Sequence, residues 1–482
     1  MRYPRFHAPN GAFFFETRGI EPHRFFWYHA SMSEIEKKLG ELGIAVPEIL
    51  LPNRVSLEQW AAVACDQFTQ DRAYWKKVEG IAANLPSTLR LILPEVYLDD
   101  GNRDDRIVEI HHAMRNYLEG DVFAAPRQGF VYIERDTPFN KKRRGLVVAV
   151  DLEQYSWSRD SRPMIRPTEG TVAERLPPRM AVRRNAPLET SHILMLIDDD
   201  ADTLLPGLEE RAKKAAPVYG GELMLNSGNV NGWFLDREDD WAYLAERLAE
   251  LSNRAVTRYS AGNDAVPGGR PFLFAVGDGN HSLASAWEIW EEYKSAFAST
   301  DAGKNAKLPE HPCRYAIVEI ESIYDPAIKF EPIHRIVFDL DFDHALTLFS
   351  TLPGFSSRAI ADREELVLLV AEPIKGNRFG LVSQNRYALV ETSAAGISTA
   401  SLQPLLDRAI DASSIDYIHG EDELFRLALA TEKLATGILL PPVQKAGFFE
   451  TVARTGPLPR KSFSMGEACE KRFYIECRRL FA

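Results

Sequence analysis

Only four cysteines, Cys65, Cys313, Cys469 and Cys477, occur among 482 residues, and no two stand in C-x-x-C spacing. That scarcity gives no disulfide framework and no zinc pattern, so reduced thiols and a cytoplasmic location are expected. Positive charge is also in deficit: 57 Lys and Arg against 69 Asp and Glu give a net charge of −12. Such a balance argues against nucleic acid or an anionic membrane as the main partner. No apolar run approaches the length of a membrane-spanning helix. Walker A, H-E-x-x-H and G-x-S-x-G patterns are missing, as are internal repeats, heptads and low-complexity tracts.

What remains is an ordinary globular composition, 45% hydrophobic and 26% charged. The length suggests several domains' worth of chain or one large intertwined unit. Residues 1–31 scatter Arg2, Arg5, Arg18 and Arg24 among Phe13 to Phe15 and Phe25 to Tyr28, with neither helical period nor signal-peptide form. They read as a poorly ordered arm or an over-extended start, ahead of Met32. Residues 32–342 then read as a main α/β unit and 343–482 as a C-terminal α/β segment packing back on it.

The stretch that organises the chain is Gly277-Asp278-Gly279-Asn280-His281-Ser282. An apolar run, Phe272 to Val276, leads into it. Leu283, Ala286, Trp287 and Trp290 leave it at helical spacing. A strand, a tight glycine loop and a helix start are predicted, and unpaired N–H groups at a helix start suit an anion such as phosphate. Asp278 is the candidate for a magnesium ion or for proton transfer. A capped turn with no ligand explains the local pattern equally well.

Other segments add candidates. Residues 162–192 hold six arginines against three glutamates, a basic departure in an acidic chain. Thr168-Glu169-Gly170-Thr171 lies within it, and arginine forks match phosphate oxygens. Arg166, Arg175 and Arg179, with Thr168 and Thr171, are therefore phosphate-site candidates. Cys65 reads as a small buried hydrophobe, whereas Asp66, Gln67 and Thr69 are pocket candidates. His334-Arg335, ahead of an apolar run, and His419 within a polar cluster complete the set. Lys141 to Arg144 reads as a solvated hairpin tip, Asp198 to Asp200 as a helix cap, and 366–371 as a strand.

The order and joint presence of Ala64-Cys65-Asp66-Gln67, Arg166 to Thr171, Gly277 to Leu283, Phe330 to Arg335, Asp416 to Gly420 and Leu458 to Ser462 resemble the conserved domain-of-unknown-function family 1015. The resemblance spans about 45 to 480. That family's central loop is similar to an Asp-Gly-His-His-Arg motif and to the phosphate-binding loop of the ParB/sulfiredoxin-like fold, some of whose members are kinases of free serine. It implies a mixed α+β protein with such a core, working as a nucleotide- or polyphosphate-dependent phosphotransferase on a small hydroxyl metabolite. It places Asp278, Gly279 and His281 at motif positions, with Glu169 as a further carboxylate for acid–base work. Magnesium and a nucleotide or pyrophosphate are the expected cofactors, a small molecule the expected partner, and a homodimer is allowed. Ser282 departs from the pattern, standing where relatives carry arginine. Either other arginines meet the phosphates, or the chain binds a nucleotide or anion without catalysis.

Overall fold

The computed structural model describes residues 32–259, 270–300, 308, 310–384, 386–394, 396–430 and 434–481. The expectation for residues 1–31 lies outside them. The architecture is mixed α/β, with two large sheets.

Nine strands form the larger sheet: β1 (Ile44–Ala45), β2 (Phe130–Asp136), β3 (Arg143–Asp151), β4 (Ile165–Pro167), β5 (Leu194–Ile197), β6 (Tyr219–Glu222), β7 (Asn229–Leu235), β8 (Phe274–Asp278) and β9 (Tyr315–Ser322). Their order is β4-β8-β5-β9-β3-β2-β7-β6, with β1 beside β3. β8 runs parallel to β4 and antiparallel to β5, and β5 runs parallel to β9. Continuous apolar runs such as Leu194 to Ile197 suit strands covered on both faces, and all four residues are buried.

Three helices matter for the site. α1 (Leu176–Arg183) begins with Pro177 and Pro178 in its first turn. A missing N–H is harmless there, so the pair starts a helix rather than breaking one. α2 (Glu238–Tyr259) anchors the acidic triplet after β5. Asp199 accepts from the N–H groups of Thr203 and Leu204 at 2.8 Å each, while Arg258 pairs with Asp198 and Asp200. α3 (Asn280–Ser299) buries Leu283, Ala286, Ile289 and Trp290 and packs against α1.

The smaller sheet is antiparallel: β10 (Phe330–Phe338), β11 (Ser356–Ile360), β12 (Asn377–Ser383), β13 (Arg386–Thr392), β14 (Ile415–His419), β15 (Ala435–Leu439) and β16 (Phe463–Met465). The order is β11-β13-β12-β15-β10-β14, with β16 on the first residues of β10. A shared cluster containing Leu194, Phe272, Phe330, Phe448 and Met465 joins the two sheets. Phe473, Tyr474, Ile475 and Leu480 then enter the core of the larger sheet.

Two local expectations are corrected. Residues 366–371 lie in a helix, Arg363–Ala371, capped by Asp362 and burying Leu366 and Val370 one turn apart. A short apolar run does not distinguish strand from buried helix. The Lys141 to Arg144 tip is only half solvated: Arg143 is buried and its Nε meets Glu321 at 2.8 Å.

Candidate functional site

β8 ends in the glycine loop and α3 starts directly behind it. Gly279 has φ +79°, in the left-handed region, and a Cβ there would lie 3.1 Å from the Ile193 Cα. A side chain at Gly277 would come within 2.5 Å of the Met465 sulfur. The chain reverses tightly, and the positive φ and close backbone at Gly279 need glycine. The N–H of Leu283 makes the first intrahelical bond, to Gly279 O at 3.0 Å. The N–H groups of Asn280, His281 and Ser282 precede it, at the positive end of a twenty-residue helix.

His281 shows the electrostatics of this helix start. Its Nε2 accepts from the Val172 N–H at 3.2 Å, so in the neutral ring the proton sits on Nδ1. Burial and then the charges of Arg179, Arg175 and Arg460 push its pKa down to about 4, against a weaker opposing pull from Asp66. Arg179 pairs with Glu95. Arg175 and Arg460 are exposed, and among the described residues their guanidinium groups have no hydrogen bond or ion pair.

Behind the helix start lies a histidine that the sequence reading passed over. His192 is 3% exposed. Its Nδ1 shares a 2.5 Å hydrogen bond with the Tyr474 hydroxyl, and its Nε2 lies 3.4 Å from Ser282 Oγ and 3.7 Å from Asp66 Oδ2. Burial favours the protonated form of Asp66, yet the facing His192, the Gln67 amide and Arg179 overcome it and hold the carboxyl well below the usual range. Cys65 is beside them. Burial and the Asp66 charge push its thiol up to about 11, which leaves it protonated and a poor nucleophile. All four cysteines are free thiols. Cys65, His192, Ser282 and Tyr474 line a cavity of about 120 Å³.

Asp278 faces Lys471, also unforeseen as a site residue, at 3.5 Å; the two side chains are 17% and 8% exposed. Its Oδ2 and the Asn280 Oδ1 are buried without hydrogen-bond partners. Magnesium is usually held by one or two carboxylates with water and phosphate oxygens. Here an ammonium already occupies the face of Asp278. Among the described residues no group of three or more His, Cys, Asp and Glu side chains converges on a point that would hold a metal. A magnesium ion at Asp278 would have to displace that ammonium, and the unpartnered Asp278 Oδ2 and Asn280 Oδ1 are the oxygens that would face it. His419, exposed at the end of β14, titrates low through partial loss of solvent and the charge of Lys461, with Lys471 adding to it.

The remaining sequence candidates hold the frame. Glu169 accepts from the N–H groups of Lys461 at 3.2 Å and Ser462 at 3.0 Å, fixing the turn that carries Arg460. Burial raises its pKa, opposed by those N–H groups. Thr168 donates to Val276 O at 2.7 Å and clips β4 to β8, and the Thr171 hydroxyl is buried without a partner. Arg166 stacks over Phe272 at 4.5 Å and donates to Pro163 O. His334 accepts from the Leu440 N–H at 3.1 Å. Arg335, fully buried, donates to Gln403 and to the carbonyls of Ile333 and Arg460. Gln67 donates to Asp66 Oδ1 at 3.0 Å, and Thr69 is exposed. Thus Asp66, Arg175, Arg179, Asp278, His281 and Ser282 gather at the helix start. Arg166, Thr168, Glu169, His334 and Arg335 support it from structural positions.

The fold and this helix start give a mixed α/β protein with a glycine loop leading into a helix, beside a half-buried Asp66 and a buried His192. The chain belongs to the family described as "Protein of unknown function (DUF1015)", whose model matches residues 49–413. No curated protein matches it. Among solved structures, it is similar to a free serine kinase in complex with AMP: 12% identity, TM-score 0.36, covering 70% of this chain and 92% of that one. A conserved hypothetical protein from Pyrococcus furiosus is 11% identical, with TM-score 0.32 and coverage of 68% and 90%. SbnI from Staphylococcus aureus, with a C-terminal truncation, is 9% identical, with TM-score 0.33 and coverage of 66% and 82%. No described helix is long and apolar enough to cross a membrane.

Proposed function

We propose that this chain is a phosphotransferase, moving a phosphoryl group from a nucleotide or pyrophosphate to a small hydroxyl compound. The observation that carries the reading is His281, kept neutral at a helix start by burial and then by guanidinium groups, two of which have no counter-charge among the described residues. Unpaired positive charge gathered on free helix N–H groups is the arrangement an oligophosphate neutralises. The donor phosphates would lie across the N–H groups of residues 280–282, between Arg175, Arg179 and Arg460. Lys471, held by Asp278, supplies a further cation.

His192 is the group suited to take the acceptor's proton, because its Nε2 opens toward Ser282 and its Nδ1 is fixed by Tyr474. In the transfer, the acceptor O–H proton passes to Nε2 and its oxygen bonds to the terminal phosphorus. The bond from that phosphorus to the bridging oxygen breaks, and its electron pair leaves with the shortened donor. Asp66, 3.7 Å from that same nitrogen, stabilises the resulting imidazolium by its charge. The arginines meet the charge on the transferring group.

Ser282 favours a second reading, binding without transfer. Its hydroxyl sits beside Nε2, where an acceptor hydroxyl would have to come. Thermal shifts with ATP, ADP, CTP and pyrophosphate test the shared premise, since a ligand at 100 times its Kd adds about 2.7 kcal/mol. Replacing Arg175 and Arg460 together by Ala should lower affinity for any compound that responds by tenfold or more. A screen in which no phosphate compound shifts the transition would refute both readings. Labelled-phosphate transfer to small alcohols then separates catalysis from binding.

A further inference from the structure

The cavity behind His192 has walls of a different kind from its mouth. Leu91, Leu93, Met114, Val182, Leu188 and Leu480 are among its apolar lining, which outweighs the polar part, and His192, Ser282 and Arg179 are the lining groups shared with the helix start. The charges in the wall are already matched. Arg179 pairs with Glu95, and Arg183 meets Glu189 at 2.5 Å, with Arg478 on the same carboxylate. An amino acid seated here would bury an ammonium and a carboxylate with no unpaired charge to receive either, a strongly unfavourable transfer. A neutral molecule with an apolar body meets no such cost, and its single hydroxyl would find Nε2 and Oγ at the helix start. At about 10–15 Å³ for each water-sized position, the volume corresponds to roughly eight to twelve such positions.

Resting on the phosphotransferase reading, we infer that the acceptor is a neutral alcohol or phenol of that size, seated with its hydrocarbon or aromatic body in this cavity and its hydroxyl at His192. Free serine and other zwitterions are not accepted. Arg179 and Ser282 stand at the boundary between the cavity and the phosphate mouth, which brings the hydroxyl to the side from which a terminal phosphate is reached.

The full chain should be titrated with 2-phenylethanol, 1-octanol, ethanol and L-serine, each alone and each with pyrophosphate, following the thermal transition and calorimetric heat. The larger alcohols should bind without pyrophosphate, at concentrations at least tenfold below ethanol and serine. Val182→Trp, which fills the cavity one helical turn beyond Arg179, should weaken 2-phenylethanol at least tenfold and keep the wild-type response to pyrophosphate. If Val182→Trp does not fold, Met114→Phe provides the same comparison. Serine binding as well as or better than 2-phenylethanol would overturn the inference. So would a response to pyrophosphate with none to any alcohol, although the phosphate-site reading would survive that result. Alcohol binding with no response to any phosphate compound would remove the acceptor role and the phosphotransferase reading together.

Discussion

An anion bound at the helix start should bring a proton with it. In the free site His281 has its pKa pushed down to about 4 by burial and by Arg179, Arg175 and Arg460. At pH 6 only about one ring in a hundred is then charged. An anion among those guanidiniums offsets their repulsion. One negative charge at about 5 Å, with an effective dielectric of about 20, contributes roughly 3 kcal/mol, equivalent to about two pH units. That brings the ring to half-protonation near pH 6, so binding takes up about half a proton and strengthens as pH falls from 7 toward 5. Sulfate is the suitable probe because it does not itself titrate in this range. Calorimetric titrations at pH 6, in buffers of different ionisation enthalpy, should give that uptake for the wild type and none for His281→Ala. Equal uptake in both proteins, or none in either, would refute the placement of the anion beside His281.

Acid should also act on the free protein through His334, which burial, then Arg335 and His419, push down to about 4. A histidine whose folded pKa lies below its unfolded value stays neutral in the fold while the unfolded chain gains a proton. Stability is therefore lost as pH falls from about 6.5 to about 4, by up to about 3 kcal/mol. His334→Gln, whose amide oxygen can still accept from Leu440, should flatten the dependence of the urea midpoint on pH between 7 and 5. Gly279→Ala forces a left-handed conformation on a residue with a Cβ and should cost about 1–2 kcal/mol in chemical denaturation. Lys471→Met should weaken pyrophosphate at least tenfold by isothermal titration, and unchanged affinity would remove Lys471 from the phosphate site.

The strand–loop–helix at Gly277 was legible because apolar run, glycines and helical spacing are all local. The same is true of the Asp199 cap. His192 was not legible, because nothing in Ser191-His192-Ile193 distinguishes a buried strand-end histidine from a surface one. Its significance comes from Tyr474, 282 positions away, and from Asp66 on the other side. Arg166 and Arg335 show the reverse case. A sequence displays guanidiniums but not their partners, and these two are spent on a phenylalanine ring and on backbone carbonyls. The Arg175 and Arg179 assignments differ only because packing α1 against α3 turns that helix start toward His281.

The residues beyond the family match, from 414 onward, supply much of what makes the site. The Trp60 indole donates to Ile475 O at 2.9 Å, the Ala64 N–H to Arg472 O at 3.0 Å, and the Tyr474 N–H to Ala62 O at 2.9 Å. This last stretch thereby holds the Cys65-Asp66 turn from below while presenting the Tyr474 hydroxyl to His192. Arg472 is the counter-charge for Glu319 and Glu476, all three buried. Ending the chain at residue 455 would remove Arg472 and Glu476 together and leave Glu319 in the core without that cation, and losing one partner of a buried pair costs about 3–5 kcal/mol. It would also remove Phe473, Ile475 and Leu480 from the main hydrophobic cluster. Together these losses approach the whole stability of a typical domain, about 5–15 kcal/mol. The shortened chain should therefore show no cooperative thermal transition, and a synthetic peptide covering 456–482, added in excess, should restore one. In that reconstituted complex, Tyr474→Phe in the peptide should permit folding and pyrophosphate binding yet weaken 2-phenylethanol, because it releases His192 Nδ1. A shortened chain that melted cooperatively at the full-length temperature would show that the C-terminal stretch only covers the site and does not build it.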